Sequence, residues 1–141
     1  MNPMHSRRSR GFTLMELMIA LVVVAVLAAI AIPSYRQFII RGNRAAAQGV
    51  MMDIANRQQQ FFLANRLYTE SLTATGLSYA IPSEISSNYD SAIVTDTSGS
   101  PCTPAPCFVI TFTAKNYQLS DGDLAVNSSG VKTRAGDATK W

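Results

Sequence analysis

Histidine is almost missing from this 141-residue chain: its one copy, His5, precedes the apolar stretch that begins at Phe12. The rest of the chain therefore holds neither a Ser-His-Asp constellation nor a histidine metal site. Cysteine is sparse too, with only Cys102 and Cys107, both in the polar half. An even count behind an export-type N-terminus favours a disulfide between them in an oxidising compartment, with two free thiols as the alternative. Carboxylate clusters are also lacking. Asp121 and Asp123 form a single Asp-x-Asp, short of the roughly 6–8 oxygens that calcium takes, so a solvated turn is the simpler reading. No catalytic residue, no metal and no cofactor is expected.

A broad excess of positive charge is absent as well. The formal net charge of +3 resides in Arg7, Arg8 and Arg10, ahead of the apolar run; the other nine Lys and Arg are balanced by nine Asp and Glu. A neutral body gives no continuous footprint for phosphate backbones. Lys115, Lys132, Arg134 and Lys140 form a basic edge late in the chain, the ground for a nucleic-acid partner. Four scattered cations more often make an ordinary solvated surface, so that partner is the weaker reading.

What is present is concentrated at the N-terminus. Residues 17–32 are an unbroken apolar run, and residues 12–32 span 21 positions. At about 1.5 Å per residue they cover roughly 31 Å as a helix, enough to cross a bilayer. A secretory signal has an apolar region of only about 7–15 residues, so this stretch reads as an anchor that is kept. The basic residues before it stay cytoplasmic by the positive-inside rule, and the remainder faces outward. Glu16 breaks the pattern. A carboxylate at the bilayer centre costs about 2.5–3.5 kcal/mol, and less near the edge. Thr13 and Glu16 have the T-x-x-E spacing of a capping box, which explains a glutamate at a helix start.

The string Arg10-Gly11-Phe12-Thr13-Leu14-Met15-Glu16 resembles the processing site of type IV prepilins and related pseudopilins. The resemblance implies cleavage by a prepilin peptidase between Gly11 and Phe12, with N-methylation of Phe12. It implies that Glu16 forms a charge pair with the Phe12 amine of a neighbouring subunit, which is physically sensible because pairing relieves the cost of two charges in an apolar bundle. A proline at Pro33 also resembles the family, and there the helix is expected to kink or loosen, with Ser34 helping to satisfy freed groups.

Beyond Pro33, the positions of Ile40, Ala47, Val50, Met51, Ile54 and Phe61 lie on one face of a continuing helix. Arg44, Asp53 and Arg57 fall elsewhere, toward solvent or a neighbour. One long helix over 13–64 is expected, its apolar face covering a sheet from the same chain. Residues 65–88 read as an irregular connection with a short turn of helix. Strands are expected at 89–95, 108–113, 124–127 and 131–134, the last two joined by Ser128-Ser129-Gly130. Cys102 and Cys107 lie between the first two strands, where a disulfide closes a small loop.

The resemblance extends to Tyr68-Thr69, Gly76-Leu77, Thr113-Ala114, Gln118, Asp121, residues 124–130, Gly136 and Trp141, which look like the PilE-like minor pilins. Those proteins usually end in Cys-Trp. Here Lys140 precedes Trp141, which leaves Trp141 to dock by packing alone. The expected class is α+β: a long N-terminal helix, half of it transmembrane, packed on a small antiparallel sheet. The expected organisation is a cleaved leader at 1–11, an assembly helix at 12–33 and a periplasmic head at 34–141, with helix to 64, connection 65–88 and sheet 89–141. By resemblance the chain is a structural subunit of a type IV pilus, for twitching motility, attachment or DNA uptake. It sits first in the inner membrane and then in the extracellular fibre, with other pilin subunits and an assembly platform as partners. A pseudopilin of type II secretion and a DNA-binding pilin are the alternatives.

Overall fold

The computed structural model describes residues 11–95 and 105–141. Helix α1 (Leu14–Asn65) is followed by a short helix α2 (Ser83–Ser86) and four strands, β1 (Tyr89–Thr95), β2 (Phe108–Ala114), β3 (Leu124–Asn127) and β4 (Lys132–Arg134). A 3-10 turn, Asn116–Ser120, separates β2 from β3. The α+β class expected from the sequence is therefore the one found. Within it, contacts divide the chain into two units, residues 1–37 and 38–141.

In the first unit α1 begins as the T-x-x-E spacing suggests, in part. The Thr13 hydroxyl accepts from the Glu16 backbone N–H at 3.2 Å, satisfying one of the amides that a helix start leaves open. Past it, every large apolar side chain from residue 14 to residue 32 is at least half exposed. The helical run is unbroken through Pro33. The Ser34 hydroxyl donates to the Ile30 carbonyl at 3.1 Å. Proline has no N–H for the carbonyl four residues back, which belongs to Ala29, so Ser34 back-bonds one carbonyl further on and does not replace the lost bond.

In the second unit the helix stripe is as expected: Ile40, Ala47, Met51 and Ile54 are buried, while Val50 and Phe61 pack at the margin of the core. They meet the inward side chains of the sheet, among them Ile93, Phe108, Ile110, Phe112, Leu124 and Val126. These inward positions alternate along β2 and β3, as a sheet with one buried face requires. Met51, Ile54, Ile110 and Phe112 are fully buried, each worth about 1.5–3 kcal/mol relative to exposure. Aromatic pairs reinforce the packing. Tyr68 stacks on Phe62 with centroids 4.8 Å apart and meets Phe108 edge-on at 4.9 Å.

Helix α1 stops without a glycine. Arg66 takes a φ of 61°, which ends the helical path, and the Asn65 amide donates to the Phe61 carbonyl at 3.0 Å. The connection that follows closes on itself, with the Leu77 N–H on the Ser71 carbonyl at 2.9 Å. Gly76 is required inside that closure, because a Cβ there would lie 2.0 Å from the Ser71 carbonyl oxygen.

The sheet is a meander in the order β1-β2-β3-β4. Tyr89 pairs with Ala114 and Thr95 with Phe108 in the first ladder; Phe112 pairs with Leu124 in the second and Val126 with Lys132 in the third. The strands match the expected ones, with β2 one residue longer and β4 one shorter. At the β3–β4 hairpin the Asn127 side chain accepts from the Val131 N–H at 2.9 Å.

Candidate functional site

In the unit formed by residues 1–37, the residues singled out for processing and assembly lie along one short stretch. Phe12 is 82% exposed, and no atom outside its immediate neighbours lies within 4 Å of where a Gly11 Cβ would sit. Glu16 is exposed in the first turn of α1, and among the described residues its carboxylate is in none of the ion pairs. The following helix is long and apolar enough to cross a membrane by length and composition. Leaving each of its large side chains in water forfeits about 1.5–3 kcal/mol, so lipid or protein has to cover it.

In the unit formed by residues 38–141, buried polar side chains do the positioning. Gln58 lies on the core face of α1 and is fully buried. Its amide donates to the Thr69 carbonyl, and its carbonyl accepts from the Thr69 N–H at 3.2 Å. The Glu70 carboxylate accepts from both the backbone N–H and the hydroxyl of Thr95, at 3.0 and 3.2 Å. Gln58 and Glu70 thus tie the start of the helix-to-sheet connection to α1 and to the far end of β1.

A second cluster surrounds the 3-10 turn. The Gln118 amide donates to the Ile40 carbonyl of α1 at 3.0 Å and to Asp121 Oδ2 at 3.2 Å. Asp121 Oδ1 accepts from Arg44 at 2.8 Å and from Arg134 at 3.4 Å. Arg44, expected to face solvent or a neighbour, is instead spent on this intramolecular pair. Asp123 Oδ1 accepts from the Ala114 N–H at 2.8 Å, so Asp121 and Asp123 serve guanidinium groups and the β2 backbone. Beside them the Tyr89 hydroxyl is buried and, among the described residues, has no hydrogen-bond partner at normal geometry. Burial pushes its pKa up to about 12; the Asp121 carboxylate adds to the rise and the Gln118 side chain opposes it. Burial and the adjacent carboxylate both disfavour the anion of this phenol.

Of the remaining residues, Asp53 and Arg57 pair along the helix at 3.5 Å, with the Arg57 guanidinium 4.8 Å from the Tyr79 ring centre. The basic edge is largely neutralised: Lys115 meets Asp90 at 2.8 Å, Arg134 meets Asp121, and Lys140 meets Asp137 at 3.0 Å. Lys132 lies 5.8 Å from the centre of the Trp141 ring. Trp141 therefore docks by a cation–π contact as well as by packing, a correction to the expectation of packing alone. Cys107 is buried at the start of β2, while Cys102 lies outside the described residues. Sequence reading missed Gln58 and Glu70, since a lone polar residue in a helix or loop gives no sign of an inward partner.

Comparison with known proteins adds two matches. Residues 33–124 match a family described as the type IV minor pilin ComP, DNA uptake sequence receptor. Residues 6–32 match the prokaryotic N-terminal methylation motif. Similar proteins include the type IV major pilin protein PilA of Myxococcus xanthus, 36% identical over 69 residues, covering 49% of this chain and 31% of that one. A type IV major pilin of Neisseria gonorrhoeae is 31% identical over 80 residues, 57% of this chain and 48% of its own. The fimbrial protein EcpC of Eikenella corrodens is 26% identical over 113 residues, 80% of this chain and 67% of its own. The match spans less than half the length of the first two of these relatives.

Proposed function

Because this chain belongs to the type IV minor pilin ComP family, matched over residues 33–124, we propose that it is a structural subunit of a type IV pilus and works by assembling with other pilin subunits. The observation that carries this reading is the exposed apolar helix with the single carboxylate of Glu16 near its start, lying inside the matched methylation motif. The motif supports cleavage between Gly11 and Phe12 by a prepilin peptidase and methylation of the new Phe12 amine. Before assembly the helix anchors the subunit in the inner membrane, with Arg7, Arg8 and Arg10 on the cytoplasmic side. An assembly platform then lifts the subunit into the fibre, where neighbouring helices replace lipid. There Glu16 of one subunit pairs with the Phe12 amine of the next, which removes the cost of an isolated charge from the apolar bundle. Cys102 and Cys107 close a disulfide at the connection leading into β2. The minor-pilin match favours a pilus component over a secretion pseudopilin, and no catalytic role is assigned.

A second reading rests on the family's own description, which names a DNA uptake sequence receptor. In this chain Lys132 of β4 places a cation beside the Trp141 ring, and a lysine at the surface can meet a DNA phosphate. Salt-dependent binding of duplex DNA by the purified protein, weakened by Lys132→Ala, supports that reading; binding indifferent to the substitution counts against it.

The deciding experiment is intact-mass analysis with N-terminal fragmentation, without reduction, on protein from sheared surface fibres and from membranes. A chain starting at N-methylated Phe12 in the fibres, lighter by the two hydrogens of a disulfide, is expected. The same chain confined to membranes favours a pseudopilin, and an uncut terminus at Met1 overturns the processing scheme.

A further inference from the structure

Between Glu16 and Asp53 helix α1 carries no acidic residue, and its charges in that span are three arginines, Arg36, Arg41 and Arg44. Two of the three are engaged inside the chain. Arg44 pairs with Asp121 at 2.8 Å, and Arg36 has an interaction of its own within the chain. Arg41 differs: it is exposed and, among the described residues, takes part in none of the ion pairs. Its neighbour on the helix surface is Phe38, three positions earlier, which is 74% exposed. Packing within the second unit explains neither side chain. There α1 turns Ile40 to the core, and nothing packs within 4 Å of where a Cβ on the adjacent Gly42 would sit.

Phe38 and Arg41 follow the apolar run, which ends at Ile32, by six and nine positions. A helical rise of about 1.5 Å per residue carries their Cα atoms roughly 9 and 14 Å past that end. In a helix each Cα–Cβ bond tilts toward the N-terminus, so long side chains lean back over the preceding turn, by about 5 Å. The ring and the guanidinium thus come to roughly 4 and 8 Å beyond the apolar run. A headgroup layer is about 5–8 Å deep on each side of a hydrocarbon core of ~30 Å. An aromatic ring inside that layer, with a cation at its outer margin, is the order in which a spanning helix meets water.

We infer that Phe38 and Arg41 form a seat for the headgroup layer of the anchoring membrane, with the Arg41 guanidinium holding the phosphate of an anionic phospholipid. The inference rests on the reading of the apolar helix as a membrane anchor. The fork of an arginine matches two phosphate oxygens, and an aromatic ring suits the boundary between acyl chains and headgroups. The absence of Asp and Glu from residues 17–52 leaves no carboxylate on this stretch of α1 to repel the phosphate. Duplex DNA offers phosphates too, but it binds through many cations at once, whereas this seat joins one cation to an aromatic ring at the end of an apolar run. Such a seat fixes how deep the subunit sits before it is taken into a fibre, and it is given up at that step.

The test reconstitutes the full chain, with photoreactive benzoylphenylalanine in place of Phe38, in vesicles of equal parts phosphatidylglycerol and phosphatidylcholine, and irradiates them. The expected result is a chain heavier by one phospholipid, with phosphatidylglycerol favoured about fivefold, the equivalent of the ~1 kcal/mol that one basic side chain gains at an anionic surface. Arg41→Gln should abolish the preference. Arg66→Gln, which removes an exposed arginine just past the far end of α1, should leave it unchanged. A chain that resists carbonate extraction yet gives no lipid adduct, an adduct without headgroup preference, or a preference that survives Arg41→Gln overturns the inference. An equal loss of preference in Arg66→Gln overturns it too, because the effect would then follow overall charge and not the seat. If carbonate releases the unsubstituted chain from the vesicles, the anchor reading fails first and the inference falls with it.

Discussion

Replacing Asp121 by asparagine keeps the shape of the side chain and one acceptor oxygen while removing its charge. In the native head that charge is shared by Arg44 and Arg134, and the Asp121 side chain is only 9% exposed. Hydrogen bonds to charged groups contribute about 1.5–3 kcal/mol, and stripping one partner from a fully buried pair costs about 3–5 kcal/mol. The two guanidinium groups still reach some water, with side-chain exposures of 18% and 25%, so Asp121→Asn should destabilise the head by about 2–3 kcal/mol. For a head of this size that lowers the melting temperature by roughly 10 °C or more. The internal control is Asp90, which meets Lys115 at the same 2.8 Å but is 71% exposed; Asp90→Asn should cost under about 1 kcal/mol, less in high salt. Urea unfolding of the full chain in detergent, followed by fluorescence of the single tryptophan, Trp141, which packs against the core, measures both. Equal costs for the two substitutions would falsify the claim that burial decides the worth of these pairs.

Four further outcomes are expected. Because the folded Tyr89 hydroxyl is raised to about 12 from an ordinary value near 10, its contribution is intact below pH 10. As pH rises from about 10 to 12 the unfolded state ionises first, so stability falls by about 2 kcal/mol, and Tyr89→Phe should flatten that part of a pH–stability curve. Gly76→Ala forces a Cβ onto the Ser71 carbonyl and should cost about 2 kcal/mol or more in the same urea assay; a loss within 0.5 kcal/mol, read against that ~2, would show the connection to be pliant. Glu16→Ala should leave membrane insertion intact and reduce recovery in sheared fibres, and normal recovery would remove the charge-pair role. Substituting Gly11 should block maturation, so an unchanged ratio of precursor to mature chain on a gel would count against the cleavage site.

The sequence made α1 legible because two periodic signals continue one another, an apolar run without gaps and then a stripe at helical spacing, and its observed bounds lie within a residue of those expected. The strands were legible for the same reason, with buried positions alternating along β2. The chemistry of the head was harder to see. Gln58 and Gln118 are polar residues that propensity assigns to the surface, and their burial follows only from backbone groups at Thr69 and Ile40 that become available once the fold exists. Asp121 read as part of a solvated turn because its strongest partner, Arg44, is 77 residues away in the chain. The family resemblance did mark several of these positions: Tyr68, Thr69, Gly76, Gln118 and Asp121 proved to be packing or hydrogen-bonding centres.

The order β1-β2-β3-β4, in which each strand pairs only with the next, has a kinetic consequence for a protein made from its N-terminus. No strand waits for a partner from much later in the chain, so each hairpin can close as soon as its second strand is available. Nearest-neighbour pairing keeps the loops to be closed short, a condition for rapid folding. The face of α1 bearing Met51 and Ile54 emerges first and offers an apolar floor on which successive strands settle. On the proposed reading of an anchored subunit, the head can thus be completed soon after its last strand is available, leaving little time for an open sheet edge to meet the same edge on a neighbour.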